Sequence, residues 1–225
     1  MKQNYFDFII CGGGASGLLL LKALREDPYF NTQSILVVEK ELKNTNDRTW
    51  CYWELPKGNF DPLLTKVWNQ AQFCSKTIHQ EFPLAPLQYK MLRSAGVYQT
   101  FYKQFKQAEN TTFLQAEIQD IRTEDGFTEI VTTEGKFQSK RVFNSLFNPK
   151  PLWNQKKYPV LKQHFVGWFI KTSTPAFDPD KILFMDFDIP QEKETRFLYV
   201  LPLDSRTALV EYTLFPEHLL KLEEY

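Results

Sequence analysis

Cysteine is scarce in this chain. Cys11, Cys51 and Cys74 are the three in 225 residues, too far apart to form a metal knuckle or a redox pair. They read as isolated reduced thiols of a reducing compartment. Histidine is equally scarce, and His79, His164 and His218 show no ligand spacing, so no metal is expected. Neither sign of charge is in excess: Lys+Arg and Asp+Glu both number 27. A dedicated nucleic-acid binder would show a basic surplus. No apolar run approaches the roughly 20 residues of a membrane-spanning helix. The start, Met1-Lys2-Gln3-Asn4-Tyr5, is too short and polar for the charged region of a secretory signal. There is no internal repeat. A cytoplasmic protein is expected, with surface attachment to a membrane left open.

Hydrophobic residues make up 43% of the chain, enough for a sizeable core, and the length suits one large domain or two small ones. Phe6 to Cys11 reads as a buried parallel strand, Ala15 to Arg25 as a helix with Leu18, Leu19, Ala23 and Leu24 on its apolar face, and Ser34 to Val38 as a second buried strand ending at Glu39. Between the first strand and the helix lies Gly12-x-Gly14-x-x-Gly17, the spacing of a dinucleotide fingerprint. The first glycine makes the tight turn, the second lets backbone approach a pyrophosphate, and the third lets helix and strand pack closely. The phosphates would rest on the free N–H groups of Ala15, Ser16 and Gly17 at the helix start. Glu39 lies 22 residues beyond Gly17, near the expected ~20, and would accept from ribose hydroxyls while repelling a 2′-phosphate. FAD or NAD is therefore preferred to NADP. FAD is preferred to NAD because the fingerprint opens the chain and leads into a long irregular segment, similar to flavoproteins of the glutathione-reductase class. Gly14-Ala15-Ser16-Gly17 is one residue short of a hydrolase Gly-x-Ser-x-Gly turn and carries little weight.

From Lys40 to about Pro86 the pattern dissolves. A helix is expected from Ala95 to Glu109, then short strands at Phe113–Ile118, Gly126–Thr133 and Lys136–Asn144. Asn148-Pro149-Lys150-Pro151 reads as a linker. Strands follow at Phe165–Lys171, Ile182–Phe187, Phe197–Leu203 and Thr207–Leu214, with a short helix from Pro216. The expected architecture is α/β: a Rossmann-like three-layer FAD/NAD(P)-binding domain over residues 1–147, with an irregular excursion at about 40–90, and a β-rich substrate domain over residues 148–225.

Three stretches carry a family resemblance: "NDRTWCYW" from Asn46, "QHFVGW" from Gln163, and the set "FMDF", "RFLYVLPL" and "LVEYT" ending at Thr213. With the Gly-rich start, their order resembles the flavin-dependent lycopene cyclases of carotenoid biosynthesis over essentially the whole chain. The resemblance implies cyclisation of the linear ends of lycopene to β-ionone rings, in the presence of FAD reduced by NADPH or NADH but without net oxidation. It adds Arg48 to the cofactor residues and makes Glu211 the acid. From strand alternation alone Glu211 reads as a solvated residue on a polar face; buried among apolar neighbours it would hold a proton above its ordinary range. The chain departs from the family where an Asp-x-x-Gly turn is replaced by Asn144-Ser145-Leu146-Phe147, and where a second acid is replaced by Tyr212. The family's length implies an N-terminal fragment, and its hydrocarbon substrate implies peripheral membrane contact. The alternatives are an FAD-dependent oxidoreductase of the same fold, a hydroxylase or an isoprenoid reductase, and a non-catalytic dinucleotide-binding fragment.

Overall fold

The computed structural model describes residues 4–158, 160, 162–215 and 219–225. In chain order β1 (Tyr5–Cys11) leads into α1 (Ala15–Glu26) and β2 (Ile35–Glu39). Next come β3 (Thr49–Glu54), β4 (Leu64–Trp68), β5 (Gln70–Cys74), β6 (His79–Pro83) and β7 (Gln88–Arg93). Then follow α2 (Ser94–Phe105), β8 (Thr111–Gln115), β9 (Ile118–Glu124), β10 (Phe127–Thr132), β11 (Gly135–Asn144) and the single turn α3 (Lys150–Asn154). The order continues with β12 (His164–Lys171), β13 (Lys181–Asp186), β14 (Thr195–Pro202) and β15 (Thr207–Phe215). The helix expected from Pro216 begins outside the described residues, as does His218; a 3-10 turn covers Leu222–Glu224.

The chain divides into two compact units. The first comprises Met1–Arg48 and Ser94–Pro149, the second Thr49–Arg93 and Lys150–Tyr225. The first is built on a sheet of order β8-β2-β1-β11-β10-β9, in which β8, β2, β1 and β11 run parallel and β10 and β9 continue antiparallel. β2, which lies between two parallel neighbours, is apolar on both faces: Ile35 to Val38 are all buried, the pattern of a strand covered on two sides. Asp7 interrupts that pattern in β1, and it is satisfied locally, because its carboxylate accepts from the backbone N–H and the hydroxyl of Ser34, both at 2.7 Å. α1 buries Leu18, Leu21 and Leu24, one per turn. The strand order reverses at β1, with β2 and β8 on one side and β11 on the other. The carboxyl end of β1 is thus a switch point, the place where open α/β sheets bind ligands.

The second unit holds a six-stranded sheet of order β12-β15-β14-β13-β5-β6 and a three-stranded sheet of order β3-β7-β4. Its core gathers Trp68, Met91, Ile182, Leu201 and Leu209. Lys90 is wholly buried, and its ammonium donates to Glu54 at 2.9 Å, Asp61 at 2.7 Å and the Leu55 carbonyl at 3.0 Å. A buried cation needs such partners.

This division corrects the expected one. The boundary after Pro149 matches the sequence linker, but residues 49–93 are not an irregular excursion of the first domain. They form five strands of the second unit, with β5 pairing in parallel with β13. The loops between these strands are short and the partner of β5 lies more than a hundred residues away, so no local periodicity marks them. Trp68 ties this segment to the later strands by donating its indole N–H to the buried Pro202 carbonyl at 2.9 Å. Trp68→Phe removes the donor and leaves that acceptor unsatisfied, which costs about 1–3 kcal/mol. Urea unfolding should show this loss; an unchanged midpoint would contradict the tie.

Candidate functional site

Structure alone asks for glycine at positions 12, 13 and 17, a Cβ at 13 meeting the Tyr102 hydroxyl at 2.5 Å and the Glu39 Cβ at 3.0 Å. Gly12 has φ +111°, and a Cβ there would lie 2.2 Å from the Ser145 Oγ. A Cβ on Gly17 would lie 2.0 Å from the Gly12 carbonyl oxygen, so α1 can approach β1 only without one. Gly14 differs. Its φ of −77° suits any residue, and a Cβ there would meet nothing within 4 Å. Neither backbone nor packing asks for glycine at 14. It borders a cavity of about 400 Å³ that also exposes Gly12, Glu39 and Arg48. As N-cap of α1 it contributes no side-chain hydrogen bond, so the helix presents N–H groups and a positive dipole end there. A bare backbone at 14 leaves room for an anionic group to come close to these N–H groups.

Glu39 is fixed at the end of β2. One carboxylate oxygen accepts from the Gly13 N–H at 2.8 Å and the other from the Glu41 N–H at 3.1 Å. A carboxylate offers about four lone-pair directions, so acceptor capacity remains for hydroxyl groups. Lys43 stands 3.2 Å from Asp47, 3.4 Å from Glu41 and 4.0 Å from Glu39. Burial opposes the charge on Lys43, but the neighbouring carboxylates outweigh it and hold its pKa above the ordinary value. Burial likewise opposes the charge on Asp47, while hydrogen bonds from Ser94 and Lys43 hold its pKa below the ordinary range. Arg48 is anchored through its backbone, its N–H donating to the Ser94 hydroxyl at 3.1 Å and its carbonyl accepting from the Ser94 N–H at 3.1 Å. A second cavity, of about 290 Å³, shares Glu39 and Lys43 and is walled by Tyr98, Tyr102 and Phe113.

Of the sequence-predicted cofactor residues, the larger cavity therefore brings together Gly12, Gly14, Glu39 and Arg48. Ala15 and Ser16 form the first turn of α1, and Gly17 is buried. Sequence reasoning missed Lys43, Ala116 and Ser145, which also border the cavity. Ser145 occupies part of the stretch that departs from the family turn. Its hydroxyl donates to the Cys11 carbonyl at 2.6 Å, tying the end of β11 to that of β1.

Glu211 lies in the second unit. It stands directly opposite Tyr199 of β14 and Gly167 of β12, so these three share a face of the sheet. That face carries Leu209 and Leu201 into the core. The polar-face reading from alternation is thereby corrected: Glu211 is half-buried on the core side. Among the described residues no hydrogen bond or cationic partner accompanies its carboxyl, and desolvation by burial raises its pKa. Beside it Tyr199 donates to the Tyr89 hydroxyl. Trp53 lies 4.6 Å from Tyr89 and 5.5 Å from Phe184 between ring centroids, and Phe184 lies 5.9 Å from Tyr199. Burial first, then the Glu211 charge, pushes the Cys51 thiol up to about 12, so it stays protonated and inert.

The sequence model of the lycopene cyclase protein family matches residues 7–225. The chain belongs to the lycopene cyclase family. No curated protein matches it. Among solved structures it is similar to a geranylgeranyl bacteriochlorophyll reductase-like protein of Thermoplasma acidophilum, with 13% identity and a TM-score of 0.66, covering 94% of this chain and 57% of that one. It is also similar to the halogenase PltM solved with phloroglucinol and FAD, with 10% identity, a TM-score of 0.68 and coverage of 97% and 54%. A third is 2,6-dihydroxypyridine-3-hydroxylase of Arthrobacter nicotinovorans, with 12% identity, a TM-score of 0.63 and coverage of 99% and 59%. The chain thus spans less than two thirds of each. At these identities the likeness shows the fold: a Rossmann-like α/β domain of the FAD-binding kind with a β-rich unit, as the sequence led us to expect.

Two outcomes follow from this geometry. Gly14→Val should lose flavin from the purified full-length protein while costing no more than about 1 kcal/mol of helix capping, whereas Gly17→Val, driven into backbone, should cost about 3 kcal/mol. Flavin absorbance together with thermal unfolding checks both, and a Gly14→Val protein with its full flavin content would refute the cradle. The second concerns pH. The folded pKa of Glu211 lies above the ordinary 4.5, so its contribution to stability is complete below that value and is lost as pH rises through the raised folded value. Glu211→Gln should therefore melt higher than the unsubstituted protein at neutral pH, with the difference closing as pH falls toward 4.5. Equal melting temperatures at every pH would contradict this.

Proposed function

We propose that this chain carries the dinucleotide cradle and the proton donor of a lycopene β-cyclase. Glu211 carries the reading: an acid on the core face of an apolar strand, without a counter-charge and with its pKa raised by burial. Such a carboxyl holds its proton above the ordinary carboxyl range and delivers it where water is scarce. Glu211 protonates the terminal double bond of a linear polyene end. The resulting tertiary cation is attacked by an internal double bond of the same end. A proton is then lost from the ring, leaving a β-ring. One proton enters and one leaves, so the substrate is isomerised without oxidation. The faces of Tyr199, Phe184 and Trp53 provide π-density to the cation, and the apolar surroundings keep water from trapping it.

FAD would be held by Gly12, Gly14, the N–H groups of Ala15, Ser16 and Gly17, Glu39 and Arg48. Reduced by NADPH or NADH, the bound flavin would carry negative charge, which complements a reaction that develops positive charge. The cavity beside Gly14 and the spare acceptor capacity of Glu39 support that assignment. The substrate resides in lipid, and no helix among the described residues is long and apolar enough to cross a membrane. We therefore include peripheral contact with a bilayer surface in the proposal.

Expression of the full-length protein in lycopene-accumulating cells, with pigment analysis, tests the reading. Cyclised carotenoid should appear, and Glu211→Gln should reduce its rate of formation by about 10²–10⁴-fold, the usual contribution of a general acid. Undiminished cyclisation in Glu211→Gln would remove Glu211 from the mechanism.

A further inference from the structure

β12 is the edge strand of the six-stranded sheet, and it is made of large side chains with one exception. Phe165, Val166, Trp168, Phe169 and Ile170 surround Gly167. Glycine inside a strand forfeits about 0.5–1 kcal/mol relative to alanine, so its presence calls for a reason. The backbone supplies none, since its φ lies outside the left-handed range. The reason is what lies beneath. A Cβ at 167 would stand 3.1 Å from Cγ of Glu211, 3.5 Å from its Oε1 and 3.4 Å from Cδ1 of Leu209. Gly167 is exposed, and it sits directly opposite Glu211 in the register. Glycine inside a strand marks a bulge, a bend or a place where a ligand or another backbone comes close, and β12 pairs with β15 without a register shift, so no bulge accounts for it.

The two sides of Glu211 are unlike. Toward the sheet interior stands Tyr199, engaged with Tyr89 and packed against the core. Toward the edge stands Gly167, with no side chain to cover the carboxyl. Two residues away on either side along β12, on the same face, are Phe165 and Phe169, respectively 56% and 45% exposed. The Arg93 guanidinium lies over the Phe169 ring, 4.5 Å from its centroid.

We infer that Gly167 is the opening through which substrate reaches Glu211, admitting an apolar chain end between the rings of Phe165 and Phe169. This rests on Glu211 being the acid and adds the side from which it is approached. The gap is one side chain wide, and both flanking groups are flat and apolar. It suits the slim end of a hydrocarbon, which slides between flat rings without needing a hydrogen bond. Position 167 then sets specificity, because any side chain there covers the carboxyl.

The test uses dicyclohexylcarbodiimide, an apolar reagent that modifies protonated carboxyl groups, on the purified full-length protein, with the adduct located by peptide mass spectrometry. Glu211 should be labelled in the unsubstituted protein. Gly167→Val, which favours the strand but fills the gap, should lower that labelling about tenfold, the change expected of one overpacked side chain. Phe169→Ala should raise it. If Gly167→Val fails to fold, as judged by circular dichroism, Gly167→Ala decides with a smaller drop in the same direction. Folded variants labelled as readily as the unsubstituted protein, or no label at Glu211 without substitution, would overturn the inference. Pigment formation is read separately. A labelling pattern as expected without any cyclised product would leave the opening in place and overturn the functional reading alone.

Discussion

The contact between α1 and the turn after β1 fixes most of the first unit. Gly17 presses against the Gly12 carbonyl at a distance no side chain permits. That approach places the start of α1 at the carboxyl end of β1, where the strand order reverses. The Ser145 hydroxyl then locks the end of β11 to the same carbonyl row through Cys11. Glu39 closes the other side by accepting from the Gly13 N–H. Four chain segments are thus held around one cavity by contacts that each end on a backbone atom of the turn after β1 or of its strand. Such an arrangement loses little when a rigid anionic group enters, because few rotamers remain to be frozen.

The second unit is arranged around a different constraint. A carboxyl has been placed on the core face of β15, where transfer from water is costly unless it is paired or neutral. Lys90 shows how the same unit handles a charge it means to keep, surrounding the ammonium with Glu54, Asp61 and a carbonyl. Glu211 has no comparable partners among the described residues, so burial acts on it alone and favours its protonated form. The two buried ionisable groups are therefore treated oppositely. Lys90 reads as a tie between strands, and Glu211 is the group on which we base the proposed proton transfer.

How much of this was legible in the sequence depends on how local each signal is. The β1-α1-β2 order and the fingerprint spacing lie within 35 residues, and the structure reproduces them to about one residue at each end. Where pairing decides, the sequence misled. The single strand expected at Phe113–Ile118 is two, β8 and β9, parted at Ala116, whose N–H turns to the Glu39 carbonyl. The helix expected to reach Glu109 stops at Phe105, and the chain turns back through Asn110 at φ 58°. The segment 49–93 revealed nothing of its allegiance, since β5 finds its parallel partner only in β13. Alternation could not say which face of β15 carries Glu211; the register against Tyr199 and Gly167 does. Ser145 belongs to no motif, and only the folded sheet brings it beside Gly12.

The central claim is that Glu211 holds its proton in the folded protein. Difference infrared spectroscopy of the carboxyl C=O stretch, comparing the unsubstituted protein with Glu211→Gln across pH, measures this directly. The account predicts a protonated-carboxyl band, absent from the Gln variant, that persists above the ordinary carboxyl value of 4.5. A Glu211 carboxyl that titrates at that ordinary value, or that is already ionised below it, would contradict the account.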